Sequence, residues 1–246
     1  MTLAVVAALH DELRALQVHL EDARTEVRGG RTLHRGRLAG REAVLVLSGI
    51  GKVAAAATAT LLIDRYAVTS ILFTGVAGGL APGVGVGDVV VADALLQHDL
   101  DASPLFPRWE VPLTGRSRFE TDPARRKVLR EAVQAVLAAP HAALASFGLA
   151  STRYHEGLVV SGDRFVSSSA ESAALRKVLP QALAVEMEGA AMAQVCADFG
   201  CALSLLRTIS DRADDAAHLD FPRFLREVAA EFSRDIVMTA LARGFH

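Results

Sequence analysis

The chain has 246 residues, 51% of them apolar, which is enough for one large domain with a deep core. Its formal net charge of −2 gives no electrostatic reason to expect nucleic acid or an anionic membrane as a partner. The longest apolar runs are shorter than the roughly 18 residues of a membrane span, and the N-terminus lacks the pattern of a signal peptide, so we predict a soluble, cytoplasmic protein.

The apolar pattern predicts short strands that alternate with helices. Continuous apolar runs indicate strands covered on both faces, and apolar residues at helical spacing indicate helices. The predicted strands are 2–8, a glycine-interrupted meander over 25–49, 70–75, 89–100, 155–163, 182–187 and 201–211. The predicted helices are 10–20 with Leu13, Leu16 and Leu20 on one face, 52–66, 123–139, 169–179, 189–200, and a final helix from Asp220, with Pro222 in its first turn and a buried stripe of Phe224, Leu225, Val228, Phe232 and Ile236.

Two segments between these elements are predicted to be irregular. Residues 75–88 are dense in glycine and are predicted to form a turn. Residues 101–121 have no clean period and are predicted to form a long loop of the kind that often carries function. The whole pattern predicts one α/β domain over residues 1–246, with a central mixed β-sheet flanked by helices. The only cysteines, Cys196 and Cys201, are expected to be reduced and buried.

Carboxylates follow several predicted strands, whereas basic residues there are few. In α/β folds ligands bind where strand ends converge. Because an ionised carboxylate only accepts hydrogen bonds, such a set suits a neutral, hydroxyl-rich or weakly basic ligand, such as a sugar diol or a purine. We find no G-x-G-x-x-G or Walker motif and no histidine pair at metal-ligand spacing, so no cofactor and no metal are expected. The strand-end acids are Asp11, Glu12, Asp163, Glu186, Glu188 and Asp211, with Arg207 as the clearest cation.

Five stretches, in this order, resemble one enzyme family. They are SGIGKVAAAATATLLI (48–63), TGVAGGLAPGVGVGDVVVAD (74–93), VSGDRF (160–165), AVEMEGAAMAQVC (184–196) and RTISDRADDAAHLDF (207–221). Together they are similar to the 5′-methylthioadenosine/S-adenosylhomocysteine nucleosidases, within the purine nucleoside phosphorylase superfamily. The resemblance implies hydrolysis of an N-ribosyl bond without a cofactor, by a homodimer.

The resemblance also implies catalytic roles. Glu12 matches the general base that activates the attacking water, and Asp211 matches the general acid that protonates adenine N7. Glu188 matches the acid that holds the ribose 2′- and 3′-hydroxyls. Arg207 is expected to help Glu12 to hold the water. Glu186 is expected either to orient Arg207 or to reach a ribose hydroxyl.

Further residues are expected to surround the nucleoside. Phe165 would stack on adenine, the Val166 backbone would bond the ring edge, Met187 would lie on the sugar, and Gly78 would lie beneath the nucleoside. The others expected there are Leu9, Ile50 and Phe221 in an apolar slot for the 5′-thioalkyl group, and Val76, Ala77 and Ser210.

Two features depart from the family pattern. Val76 stands where the family commonly has a serine whose hydroxyl helps to hold the water, so Glu12 and Arg207 are expected to carry more of that task. Residues 102–113 lack the usual aromatic pattern of a loop that, in the family, helps to close the neighbouring subunit's 5′ pocket. The preferred 5′ substituent therefore stays open.

Three alternative functions are considered. A phosphate-dependent nucleoside phosphorylase needs a cationic cradle, but the loop after the first strand carries His10, Asp11 and Glu12, whose acids would repel phosphate. A futalosine or aminofutalosine hydrolase differs mainly in the 5′ group. A non-catalytic nucleoside-binding protein would not need Glu12, Asp211 and Glu188 together.

Overall fold

The computed structural model describes residues 2–139, 141–147, 149, 152–214 and 224–245. Phe221, with the predicted helix start at Asp220 and Pro222, lies outside them. The strands are β1 (Thr2–Ala7), β2 (Leu20–Arg28), β3 (Arg31–Leu38), β4 (Arg41–Leu47), β5 (Val68–Phe73), β6 (Val76–Gly79), β7 (Val89–Gln97), β8 (Phe119–Glu120), β9 (Tyr154–Ser161), β10 (Ala182–Glu186) and β11 (Ala202–Asp211). The helices are α1 (His10–Gln17), α2 (Lys52–Tyr66), α3 (Pro123–Leu137), α4 (Ala142–Ser146), α5 (Ser169–Val178), α6 (Gly189–Phe199) and α7 (Ala230–Ala242), which follows a π-helical turn, Leu225–Ala229.

The strands of the described ranges form one mixed sheet in the order β2-β3-β4-β1-β5-β11-β6-β10-β9-β7-β8. β1 lies parallel to β4 and β5, as the buried apolar run of residues 3–7 predicts. β11 pairs with β5 through its first half and with β6 and β7 through its second half. Because β6, β10, β9 and β7 also pair in turn, the second half of the sheet closes into a ring of five strands that includes β11.

Helices cover both faces of the sheet. The face that carries Leu72 and Leu206, here called the α7 face, packs against α1, α3 and α7. The opposite face, which carries Phe73 and Leu205, packs against α2 and α6, whose small side chains allow close approach. The predicted apolar stripe of the last helix is confirmed, since all five of its residues are buried. In the part of the chain that the structure describes, no helix is long and apolar enough to cross a membrane.

Two details of the predicted elements were wrong, and one short helix was not predicted. Residues 76–79 form β6 rather than part of a turn, because β10 and β11 pair with this glycine-rich segment on either side. The first helix ends at Gln17, and Leu20 begins β2, where its side chain is buried in a strand instead of a helix. The short helix α4 was not predicted, because five residues are too few to show a period.

Candidate active site

A cavity of about 360 Å³ lies where β6, β11 and the segments after β1, β4, β5, β9 and β10 meet. Its size falls within the roughly 300–1,000 Å³ of small-molecule sites. The sequence-predicted residues that line it are Leu9, Ile50, Val76, Ala77, Gly78, Phe165, Val166, Glu186, Met187, Glu188, Arg207, Ser210 and Asp211. The structure therefore brings together residues that are up to 202 positions apart, from Leu9 to Asp211.

Glu12 lies directly behind this wall. It stands in the first turn of α1 and is fully buried. Its Oε2 accepts a hydrogen bond from Leu9 N at 3.2 Å, while Oε1 has no partner among the described residues. Burial raises the pKa of Glu12 to about 7, against the opposing effects of the positive charge on Arg207 and of the Leu9 and Ala8 N–H groups. A Cβ at Gly75 would lie 3.3 Å from Oε1, so glycine there leaves Glu12 next to the cavity.

Arg207 is the central cation of the site and is buried on β11. Its Nη2 donates to Glu186 Oε2 at 2.8 Å, and its Nη1 donates to the carbonyl oxygens of Phe73 and Leu206 at 3.2 and 3.1 Å. The guanidinium carbon lies 4.2 Å from the centroid of the Phe73 ring, a cation–π distance. The guanidinium is thus held on three sides before any ligand binds.

The Glu186 carboxylate is saturated with hydrogen bonds. Besides Arg207, it accepts from Ser161 Oγ, from Glu188 N at 3.2 Å and from Gly189 N at 3.0 and 2.9 Å. These donors come from β9 and the start of α6, where backbone N–H groups and the helix dipole favour an anion. Of the two roles considered for Glu186, the structure shows the contact with Arg207.

Glu188 lines the cavity at the N-terminus of α6 and is 5% exposed. Its Oε1 accepts from Gly51 N at 2.8 Å, just before α2 begins. Burial and the negative charge of Glu186 hold the pKa of Glu188 well above its usual range, and the Gly51 N–H and Arg207 oppose this rise. Glu188 therefore carries an acceptor at the cavity wall, fixed between the first turns of two helices.

Asp211 ends β11 and also lines the cavity. Its Oδ1 accepts from Ala213 N at 2.7 Å, and its Oδ2 accepts from Ser210 Oγ at 2.8 Å. Burial raises the pKa of Asp211 above its ordinary value, although both hydrogen bonds act in the opposite direction. A Cβ at Gly78 would lie 3.0 Å from Asp211 Oδ1, so only glycine leaves this carboxyl its place.

The mouth of the cavity is apolar and partly open. Ile50 is 61% and Phe165 46% exposed. In the described part of the chain, none of residues 102–113 lines the cavity. Trp109 instead donates its Nε1 hydrogen to the His98 carbonyl at 3.0 Å, while Leu105 is 84% exposed.

The sequence did not predict four residues of the wall, Ala8, Gly75, Arg164 and Val185. Three of them are small or apolar, and the only signal for them in the sequence is that they adjoin predicted residues: Ala8, Gly75 and Val185. Arg164 pairs with Glu171. The described ranges hold no cluster of three or more His, Cys, Asp or Glu side chains that suits a metal ion.

Comparisons with known proteins agree with this geometry. Residues 2–242 match the phosphorylase superfamily. A 5′-methylthioadenosine/S-adenosylhomocysteine nucleosidase from Neisseria meningitidis, solved with methylthio-immucillin-A, is 35% identical with a TM-score of 0.87, over 98% of this chain and 99% of that one. The nucleosidase from S. pneumoniae with a transition-state inhibitor is 33% identical (TM-score 0.84, 98% of both chains). A futalosine hydrolase of Helicobacter pylori is 30% identical (TM-score 0.85, 99% and 98%). The chain belongs to the phosphorylase superfamily and, within it, to the 5′-methylthioadenosine/S-adenosylhomocysteine nucleosidases.

Proposed function

We propose that the protein hydrolyses the N-ribosyl bond of 5′-methylthioadenosine and S-adenosylhomocysteine, releasing adenine and the 5′-thio-ribose. The observation that carries the proposal is the buried carboxylate of Glu12, which keeps one oxygen without a partner among the described residues beside a nucleoside-sized cavity. Its pKa of about 7 suits a general base that works near neutral pH.

The proposed reaction uses acids on two sides of the nucleoside. Asp211 donates a proton to N7 so that adenine leaves as a neutral molecule, and its raised pKa favours the protonated form that this step needs. Positive charge develops on the ribose, where Glu188 accepts the hydrogen bonds of the diol. Glu12 takes a proton from the water that attacks C1′. Two carboxyl groups that flank a glycosidic bond, with room for water, are the arrangement of inverting glycosidases.

Water is proposed as the nucleophile rather than phosphate. The cations on the described cavity wall are Arg164 and Arg207, and each already has a carboxylate partner, Glu171 and Glu186. A phosphate dianion would meet Glu12, Glu186 and Glu188 without a cation of its own. Repulsion between charges of like sign in a buried site disfavours such binding.

The 5′ group is proposed to be a thioether. Leu9 and Ile50 supply apolar surface on the cavity wall, which suits a methylthio group. Aminofutalosine hydrolysis is the second candidate, because a futalosine hydrolase is also among the similar structures. Both candidate reactions use the same acids and differ only in the 5′ group of the substrate that the mouth of the cavity binds.

A cytoplasmic homodimer is also part of the proposal. Large apolar side chains are exposed at the mouth, on the first turn of α2 and on the loop 102–113: Ile50, Val53, Leu105 and Leu113 are 61%, 82%, 84% and 90% exposed. Because this loop does not line the cavity of its own chain, we assign it to the cavity of the partner. Light scattering tests the proposed dimer. We expect the wild type to be a dimer and Leu105→Glu to dimerise more weakly. A monomeric wild type would contradict the proposal.

One assay separates the candidate functions. Adenine release is measured from 5′-methylthioadenosine, S-adenosylhomocysteine and 6-amino-6-deoxyfutalosine, each with and without phosphate. We expect both thioethers to be turned over, each at a rate that is the same with and without phosphate. Cleavage only with phosphate would indicate a phosphorylase, turnover of the futalosine alone would indicate the second candidate, and binding without cleavage would indicate a nucleoside-binding protein.

A further inference from the structure

Asp163 is a strand-end acid that the proposed mechanism has not used. It follows β9 and directly precedes Arg164 and Phe165, which line the cavity. Its side chain is 49% exposed, yet its carboxylate and its backbone N–H both have partners on other segments of the chain. Hydrogen bonds between distant segments fix those segments relative to one another, so Asp163 is placed to hold the edge of the cavity.

Asp163, Lys52 and Asp99 form a closed set of hydrogen bonds, here called the Asp163 network. Asp163 Oδ1 accepts from Lys52 N at 2.7 Å, and Asp163 N donates to Asp99 Oδ2 at 2.8 Å. Lys52 Nζ completes the set by donating to Asp99 Oδ1 at 2.7 Å. Against the effect of partial burial, the Lys52 hydrogen bond and the Asp163 N–H lower the pKa of Asp99. The network therefore joins the segments that follow β4, β7 and β9 through ionised groups.

The Asp163 network meets Glu188 at the start of α2, where two successive backbone N–H groups are each bound by a carboxylate. Gly51 N donates to Glu188 Oε1 at 2.8 Å. The next N–H, that of Lys52, donates to Asp163. Gly51 has a φ of +94°, and a Cβ on it would lie 3.1 Å from Asp163 Oδ1. Because a glycine changes its backbone angles at little cost, the anchored Lys52 N restricts the direction of the Gly51 N–H.

The Gly51 N–H also favours the ionised form of Glu188. Burial and the negative charge of Glu186 raise the pKa of Glu188 to about 7, whereas the N–H groups of Gly51 and Met187 and the charge of Arg207 lower it. An ionised carboxylate is a pure acceptor and can bind both hydroxyls of a diol. A fixed Gly51 therefore supports both the orientation and the charge that Glu188 needs to bind a ribose.

We propose that Asp163 is a positioning residue for Glu188, which it fixes at the cavity wall through the backbone of Lys52 and Gly51. This inference rests on the proposed nucleosidase function, in which Glu188 holds the ribose 2′- and 3′-hydroxyls. Asp163 then acts on the ligand through the grip of Glu188 on the diol. Its contribution should appear with ligands that carry the diol and vanish with ligands that lack it.

Ligand binding tests this dependence on the diol. Dissociation constants are measured by calorimetry in the Glu12→Gln variant, in which the nucleoside is consumed slowly. Adding Asp163→Ala should raise Kd for 5′-methylthioadenosine about tenfold, the effect of about one hydrogen bond to a charged group. The same change should alter Kd for the 2′,3′-dideoxy analogue less than about twofold, because that ligand offers Glu188 no hydroxyls.

Asp163→Asn is the conservative variant, since its amide oxygen can still accept from Lys52 N. Added to Glu12→Gln, it should leave Kd for 5′-methylthioadenosine within about threefold of that of Glu12→Gln alone. Asp122→Ala is the matched control. Asp122 Oδ1 accepts from Arg125 N at 2.8 Å and so holds the start of α3, a helix of the described ranges that does not line the cavity. Asp122→Ala should leave both dissociation constants unchanged.

Three results would overturn the role of Asp163. They are unchanged binding in Asp163→Ala, equal losses for the two ligands, and an equal loss in Asp122→Ala. An equal loss for both ligands would show that Asp163 supports the fold of the cavity as a whole and not Glu188. Failure of the proposed function has a different signature, a wild type that releases no adenine from 5′-methylthioadenosine.

Discussion

Glu12 and Glu186 are both buried glutamates of the same site, but their surroundings differ. Glu186 accepts hydrogen bonds from two backbone N–H groups, from Ser161 and from Arg207, so both of its oxygens are occupied. Glu12 accepts a single described hydrogen bond, on Oε2, and its Oε1 has none among the described residues. Burial is nearly equal, at 0% and 7% exposure, so the difference lies in the partners.

The comparison shows how one residue type serves two purposes. A buried carboxylate whose oxygens all have hydrogen-bond partners is fixed in place and holds the neighbouring groups. A buried carboxylate with an unused oxygen has a raised pKa and can exchange a proton. We therefore assign Glu186 to the support of Arg207 and of the α6 N-terminus, and Glu12 to the chemistry.

The largest expected effect is on turnover. Glu12→Gln removes the proton acceptor while keeping the shape of the side chain, so kcat for 5′-methylthioadenosine should fall roughly 10²–10⁴-fold. Asp211→Asn should produce a loss of the same order. Steady-state adenine release measures both, and a thermal upshift on adding the nucleoside checks that binding survives. Near-normal rates in either variant would remove the role assigned to that residue.

Breaking the Glu186–Arg207 pair should mainly affect stability. Glu186→Gln leaves the Arg207 guanidinium buried without its counter-charge, so we expect the free energy of unfolding to fall by about 3–5 kcal/mol. Urea unfolding measures it. The matched control is Glu26→Gln, which breaks the exposed 3.7 Å pair with Arg35 and should cost less than about 1 kcal/mol. Equal losses in the two variants would contradict the structural role of Glu186.

The stability contributed by Glu12 should depend on pH. Its pKa is about 7 in the folded protein against 4.5 for the free side chain, so the folded state binds the proton more tightly. The stability that Glu12 contributes is therefore fully present below pH 4.5 and is lost as the pH rises through about 7. Relative to the wild type, Glu12→Gln should gain up to about 3 kcal/mol between pH 4.5 and 7.5. Urea unfolding at both pH values measures this gain. A difference in unfolding free energy between the two proteins that is the same at both pH values would show that folding does not raise the pKa of Glu12.

The smallest effect concerns Ser161, which donates to Glu186 and accepts from Ala190 N at 2.7 Å. Ser161→Ala leaves that N–H unpaired in the core and should lower the free energy of unfolding by about 1–3 kcal/mol. Because Arg207 still holds Glu186, we expect kcat to change less than in Glu12→Gln. A loss of turnover as large as that of Glu12→Gln would place Glu186 in the chemistry after all.

The sequence predicted the elements well where a local pattern sets them. The bounds of α2 are as predicted, and the meander proved to be β3, β4 and the second half of β2. The strand β6 and the ring closed by β7 and β11 were not predicted, because pairing between distant segments leaves little trace in a local pattern.

Prediction of the site residues from the sequence has the same limit. The residues at strand ends were found because their chemistry is unusual in apolar surroundings. Gly75 and Arg164 were missed as wall residues, because a glycine in a turn and an arginine in a loop look ordinary until the fold brings them to the cavity. Of the partners of Glu186, Arg207 was considered from the sequence, whereas Ser161 was not, because it lies on another strand 25 residues away.

The fate of the water oxygen tests the central claim most directly. 5′-Methylthioadenosine is incubated with the protein in oxygen-18-labelled water that contains phosphate, and the sugar product is analysed by mass spectrometry. We predict 5-methylthioribose that carries one labelled oxygen, with no sugar phosphate. A product that is unlabelled and phosphorylated at C1 would contradict the account, because phosphate and not water activated by Glu12 would then be the nucleophile.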